Sequence, residues 1–138
     1  MAINKFRGEY SFLSNMYPIM VRIDGESYPS AEHAFQALKS LNKDVRLAIS
    51  VCRSPSEAKY AGRHIELRDD WDSVKVDIMY KILLAKFKNP ELAKKLKDTG
   101  SEELIEGNTW NDKFWGVCNG DGQNMLGKLL MKVREELS

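Results

Sequence analysis

Glu32, Gln36 and Lys39 stand four and three residues apart, the intervals that bring side chains onto one strip of a helix. A carboxylate, an amide and an ammonium along one edge can hold a proton, orient a polar group and meet an anion. Far along the chain, Trp110, Asp112, Phe114 and Trp115 crowd a glycine-containing stretch over residues 107–123. Aromatic rings are costly to leave wet, so such rings either plug a core or wall a binding cleft. The helix entry expected after Gly122 would add unpaired N–H groups for an anionic ligand. Two carboxylates, stacking rings and anion-binding backbone are the parts needed to cleave a ribosyl C–N bond. A carboxylate stabilises oxocarbenium charge, water needs a base, and the leaving nitrogen needs a proton. Bland readings stay open beside this one. On helical geometry alone, the 32–39 strip reads more readily as a solvated polar face with a charge ladder, and core plugging accounts for the rings about as well.

These residues need elements to position them. β-branched residues over 19–23, then Asp24-Gly25, then 26–28, predict a small β-hairpin. Ser30 is a natural N-cap for a helix over 31–40, with Ala34, Phe35 and Leu38 on its apolar side. A short helix is expected over 44–51. Another opens at Ser54, with Pro55 in its first position, Glu57 completing a capping box and Gly62 closing it. The longest periodic segment, 72–87, carries Val74, Ile78, Ile82 and Ala85 on one stripe and Tyr80, Leu83, Leu84 and Phe87 beside it, as in a helix buried on two sides. Trp71 stands at its start, among Asp69, Asp70 and Asp72, which read as N-terminal caps. Asn89-Pro90 starts a helix that Thr99-Gly100 ends. A short strand is expected over 104–106, and a final helix over 124–137. The expected class is α+β, a single helix-rich domain over 1–138 with a small hairpin or sheet.

The chain has 138 residues, 43% hydrophobic and 30% charged, a balance that builds a core and rules out overall disorder. A net charge of +1 is too small for phosphate-driven nucleic-acid binding as a primary role. Residues 1–10 lack the apolar stretch of a secretory signal, and no apolar run approaches a membrane span, so a soluble protein is expected. Cys52 and Cys118 lie far apart, which suits a reduced, cytoplasmic setting.

Several familiar motifs fail on mechanics. Residues 122–128 satisfy the first letters of a P-loop, but Leu129 stands where Ser or Thr must hold magnesium. The string from Gly120 has Met125 where a dinucleotide fold needs its third glycine. His33, His64, Cys52 and Cys118 match no ligand spacing, so no metal site and no cofactor are expected. Triad hydrolase signatures are lacking too.

Taken in order, the segments Phe12-Leu13-Ser14-Asn15, Ser30-Ala31-Glu32-His33-Ala34-Phe35-Gln36 with Lys39, Trp71, Lys86-Phe87, Asp112-x-x-Trp115-Gly116 and the run 122–134 resemble the YbiA-like, or NADAR, family. The likeness spans nearly the whole chain, and its combination of motifs is specific. It implies a helix-rich α+β domain and N-glycosidase activity. The substrates it implies are phosphoribosylamino intermediates of riboflavin synthesis or, alternatively, ADP-ribose on guanine bases in nucleic acid. By position it gives Glu32 and Asp112 as catalytic carboxylates, without saying which is acid or base, and Trp71 as a site ring. Trp115 is a second ring for stacking, and Lys39 a phosphate or carboxylate partner. Ser14 and Asn15 are candidates for a ribose or phosphate, and Gln36 and Gly116 complete the binding set. A non-catalytic ADP-ribose or nucleotide-binding module is the rival of another class. The expected partner is a small nucleotide-like substrate, with no membrane and no obligate protein partner in evidence.

Overall fold

A computed structural model describes residues 2–137. In chain order, β1 is Ala2–Ile3, β2 Val21–Ile23 and β3 Glu26–Tyr28, with a 3₁₀ turn at Gly8–Leu13. Helices follow: α1 Ala31–Ala37, α2 Lys43–Ser50, α3 Pro55–Gly62, α4 Trp71–Lys86 and α5 Pro90–Asp98. Then come β4 Glu103–Leu104, β5 Gly107–Asn108, β6 Val117–Cys118 and α6 Met125–Leu137. The class is α+β and helix-rich, as expected. The fold divides into two units: residues up to Ser14 together with Phe87 onward, and Asn15–Lys86.

In the Asn15–Lys86 unit the hairpin forms as the sequence predicts, Val21 opposite Tyr28 and Ile23 opposite Glu26. Asp24 and Gly25 both take positive φ, 52° and 82°, the pair of left-handed residues that a tight hairpin turn with the right twist requires. Ser30 caps α1 by accepting from the His33 N–H, and Ser54 caps α3 by accepting from Glu57. Glu57 reaches back to the Arg53 N–H, one residue before the reciprocal capping-box donor. Asn42 caps α2 through Asp44 and Val45. Asp70 is not an N-cap through its side chain: both carboxylate oxygens hold the Arg68 guanidinium instead.

α1 sits at the centre of this unit, packed on α2, α3, α4 and the hairpin. All seven of its residues are buried. α4 buries Trp71, Met79, Ile82, Leu83 and Lys86. Met79 is buried, whereas Val74 and Ile78, which the sequence stripe put inward, are only half-buried.

In the other unit, β1 pairs in parallel with β4, and β5 with β6. α6 packs on α5 and β4 through Leu126, Leu129, Leu130 and Val133. Asn89 caps α5, and Arg134 of α6 donates to Thr99 at the end of α5 over 2.8 Å. Residues 107–123 are a loop pinned by the short β5–β6 ladder, which the sequence did not signal. Among the described residues, no helix is long and apolar enough to cross a membrane.

Candidate active site

Glu32 and Gln36 are 8% and 4% exposed. This overturns the reading of their strip as a solvated face: three helices and a hairpin leave α1 no water-facing side, so its polar residues are enclosed with its apolar ones. Gln36 Nε2 donates to Glu32 Oε2 over 2.5 Å. Burial pushes the Glu32 carboxyl above its ordinary value, while the Gln36 bond and the charges of Lys59, Lys39 and His33 pull the other way. A carboxyl that retains its proton is a general acid in waiting.

Lys39 lies half-buried at the end of the same strip, its Nζ 5.5 Å from the centre of the Phe35 ring. Burial lowers its pKa, Glu32 opposes that, and Arg63 and Lys59 add to it. Positive charge therefore gathers beside Glu32 from Lys39, just past α1, and from Lys59 on α3. Trp71, 8% exposed, packs its ring 5.2 Å from that of Phe35. Asn15 accepts the Glu32 N–H through its backbone carbonyl and gives Nδ2 to Met79 Sδ, leaving a buried Oδ1 with no partner. His33 has both ring nitrogens engaged: Nδ1 with Ser30 Oγ at 2.7 Å, Nε2 with the Cys52 carbonyl at 3.0 Å. Since that carbonyl can only accept, Nε2 carries a hydrogen.

In the other unit, Asp112 organises its own loop. Its Oδ1 accepts the N–H groups of Phe114 and Trp115, at 3.2 and 3.0 Å. Asn108, buried on β5, brackets the same residue, accepting the Asp112 N–H and donating to its carbonyl. The Phe114 and Trp115 rings meet edge-on at 4.8 Å, half-buried, while Trp110 is 50% exposed. Plugging the core is therefore not the task of Trp110. Asp112→Asn keeps the accepting oxygen, so its urea unfolding free energy should stay within about 0.5 kcal/mol of the parent, whereas Asp112→Ala should lose about 1 to 2 kcal/mol. Equal losses from both variants would mean that the negative charge, rather than the acceptor, holds the loop.

One expected feature is not available. The amides of Gln123, Asn124, Met125 and Leu126 donate to the carbonyls of Lys113, Gly116, Phe114 and Trp115 at 2.8 to 3.2 Å. The start of α6 is thus bound by its own loop, and the anion site read from Gly122 does not exist at those amides. Asn124, with φ 53°, completes the tie through Leu104 and Glu106.

The structure gathers Glu32, Gln36, Lys39, Trp71 and Asn15 in the Asn15–Lys86 unit. Asp112, Trp115, Gly116 and Ser14 belong to the other. Sequence reasoning gave no site role to Gly62, Asn108 or Lys86. α3 ends at Gly62, as the sequence predicts, but without a left-handed turn. Gly62 is buried inside the helix against Gln36, and Arg63 follows as C-cap. Lys86 is 1% exposed, near the Tyr17 ring, with its pKa lowered by burial to about 7. The signal for Lys86 was its place one turn after Ile82 and Leu83, a cation on an apolar stripe. Among the described residues, no three His, Cys, Asp or Glu side chains gather as metal ligands.

The fold is α+β, and its enclosed Glu32 carboxyl, raised in pKa by burial, is of the kind that general acid-base enzymes use. The chain belongs to the NADAR domain family, whose model matches residues 4–138. N-glycosidase YbiA of Shigella boydii serotype 4 is 41% identical over 134 residues, spanning 94% of this chain and 83% of that protein. A riboflavin biosynthesis protein of Vibrio vulnificus is 40% identical, over 93% of this chain and 36% of its own length. The NMR structure of Escherichia coli YbiA is similar with a TM-score of 0.87 at 38% identity, covering 99% of this chain and 83% of that one.

Proposed function

We propose that this protein hydrolyses the ribosyl C–N bond of a phosphorylated nucleotide-like substrate, the ribosylaminopyrimidine phosphates of riboflavin synthesis being the class it fits. The enzyme class is that of its relatives, a hydrolase acting on N-glycosyl bonds. Supporting the substrate class is the riboflavin biosynthesis name on relatives from Vibrio vulnificus and Zea mays. The observation that carries the chemistry is the buried Glu32 carboxyl, held by Gln36 and raised in pKa by burial.

In the reaction the C1′–N bond breaks, the leaving nitrogen takes the Glu32 proton, and water adds to the ribosyl carbon after losing a proton to a base. Asp112 is assigned the second carboxylate role on the family pattern, its Oδ2 being the oxygen not bonded to its own loop. Lys39 meets a phosphate and Asn15 Oδ1 a sugar hydroxyl. Trp71, Trp115, Ser14 and Gly116 keep the binding places that the family pattern gives them. The family match extends across both units, which supports reading residues 1–138 as one domain. Free thiols at Cys52 and Cys118 fit the cytoplasm.

Incubation with a ribosylaminopyrimidine 5′-phosphate and, separately, with an oligonucleotide bearing ADP-ribose on guanine, followed by mass analysis, tests the reading. Release of the free aminopyrimidine and ribose 5-phosphate is expected from the first. Cleavage of the oligonucleotide alone would move the substrate class to ADP-ribosylated nucleic acid. Binding of ADP-ribose with no cleavage of either would replace the enzyme with a reader.

A further inference from the structure

We propose that Gly62 and Gln36 are a positioning pair for Glu32: the bare Cα of Gly62 lets the Gln36 side chain lie against α3, which fixes its amide on Glu32 Oε2 and so sets the direction of the acid. This rests on the role given to Glu32 above, but its geometry stands by itself. Gln36 Nε2 holds the carboxyl at 2.5 Å, while Gln36 Oε1 is buried with no hydrogen-bond partner. A Cβ added at Gly62 would overlap that Oε1, lying also 2.7 Å from Gln36 Cδ and 3.1 Å from Gln36 Cβ.

The amide is therefore confined between a helix backbone on one side and the carboxyl on the other. An amide oxygen left unpaired in a buried place is disfavoured. Enclosure against Gly62 is what keeps it there, with only a weak C–H contact on that side. Because the two nearest obstructing atoms, Oε1 and Cδ, are the free end of a flexible side chain, a methyl at position 62 is accommodated chiefly by moving the Gln36 amide, with the helices giving by a few tenths of an ångström at Gln36 Cβ. The movement takes the amide away from Glu32. The helix pair survives and the acid loses its guide.

Gly62→Ala is accordingly expected to lower kcat about 10- to 100-fold with KM within about twofold, the scale on which a misplaced catalytic group acts. Gln36→Ala should give a comparable loss and open the space that the methyl needs. In that background, adding Gly62→Ala should cost less than about twofold more, the non-additivity of two residues acting through one contact. A purely structural glycine would give multiplying losses instead, and multiplying losses overturn the proposal. The second readout needs no substrate: the Glu32 carboxyl followed by carbon-detected NMR titration. Its midpoint should rise in Gly62→Ala, since the Gln36 bond favours the ionised form. An unmoved midpoint also overturns the proposal, even where hydrolysis is intact. Should the wild type cleave neither probe while the midpoint shifts as expected, the assigned function fails and the positioning pair stands. If Gly62→Ala melts below the assay temperature, Gln36→Met, which leaves α3 untouched, carries the same expectations for kcat and midpoint.

Discussion

Glu32→Gln should lower turnover by about 10² to 10⁴ while leaving the fold intact, the range for loss of a general acid or base. The replacement keeps shape and an accepting oxygen, so Gln36 Nε2 retains its partner on α1. What it removes is the transferable proton. The pH dependence supplies an independent check. With its pKa raised by burial, Glu32 stays protonated above pH 4.5, and the rate of the parent should fall as pH climbs through the raised value. The variant should show no such limb. Stability has its own signature: the native state holds a proton that the unfolded chain has released, so Glu32 stabilises fully below pH 4.5 and loses that contribution as pH rises through its folded value. Glu32→Gln should flatten this part of the curve. A variant with the parental rate and pH profile would remove Glu32 from the chemistry.

Lys86→Met should strip the protein of a pH-dependent penalty. The folded pKa of about 7 lies below the ordinary 10.5. Between those values the unfolded chain binds one more proton than the native state, so stability rises with pH by up to about 1.4 kcal/mol per unit. Across pH 7 to 10 the parent should gain on the order of 3 to 4 kcal/mol from this group. Methionine carries no charge to desolvate and fills nearly the same length, so the variant should be the more stable at pH 7, with the two proteins converging by pH 10. Urea unfolding at each pH measures it. The window should end at pH 10, because burial and Glu26 raise the Tyr28 hydroxyl and its ionisation in the unfolded chain then opposes folding. Parallel curves for parent and variant would show that Lys86 is charged in the native state.

Local chemistry was legible from the chain. Asp24-Gly25 predicts its hairpin, and Ser30, Ser54 and Asn89 predict three helix starts, because each signal acts over three or four residues. The candidate site was legible only as residue types. Nothing in the spacing of Glu32 and Gln36 distinguishes a wet strip from an enclosed one, since that depends on how many neighbours α1 has. Gly62 was legible only as the end of α3, and the tertiary partner Gln36 is what shows that its missing side chain matters for packing. The amides at the start of α6 were expected to be unpaired because helix beginnings usually are. Carbonyls from eight to eleven residues upstream met them instead.

That strap between the carbonyls of residues 113–116 and the amides of 123–126 has a kinetic meaning for whatever meets the Phe114–Trp115 pair. A wall fastened by main-chain bonds is already shaped before a ligand arrives, so little ordering is left to oppose capture. Association there should proceed in one phase, limited by encounter rather than by rearrangement, and selectivity among ligands should appear in how long each one stays.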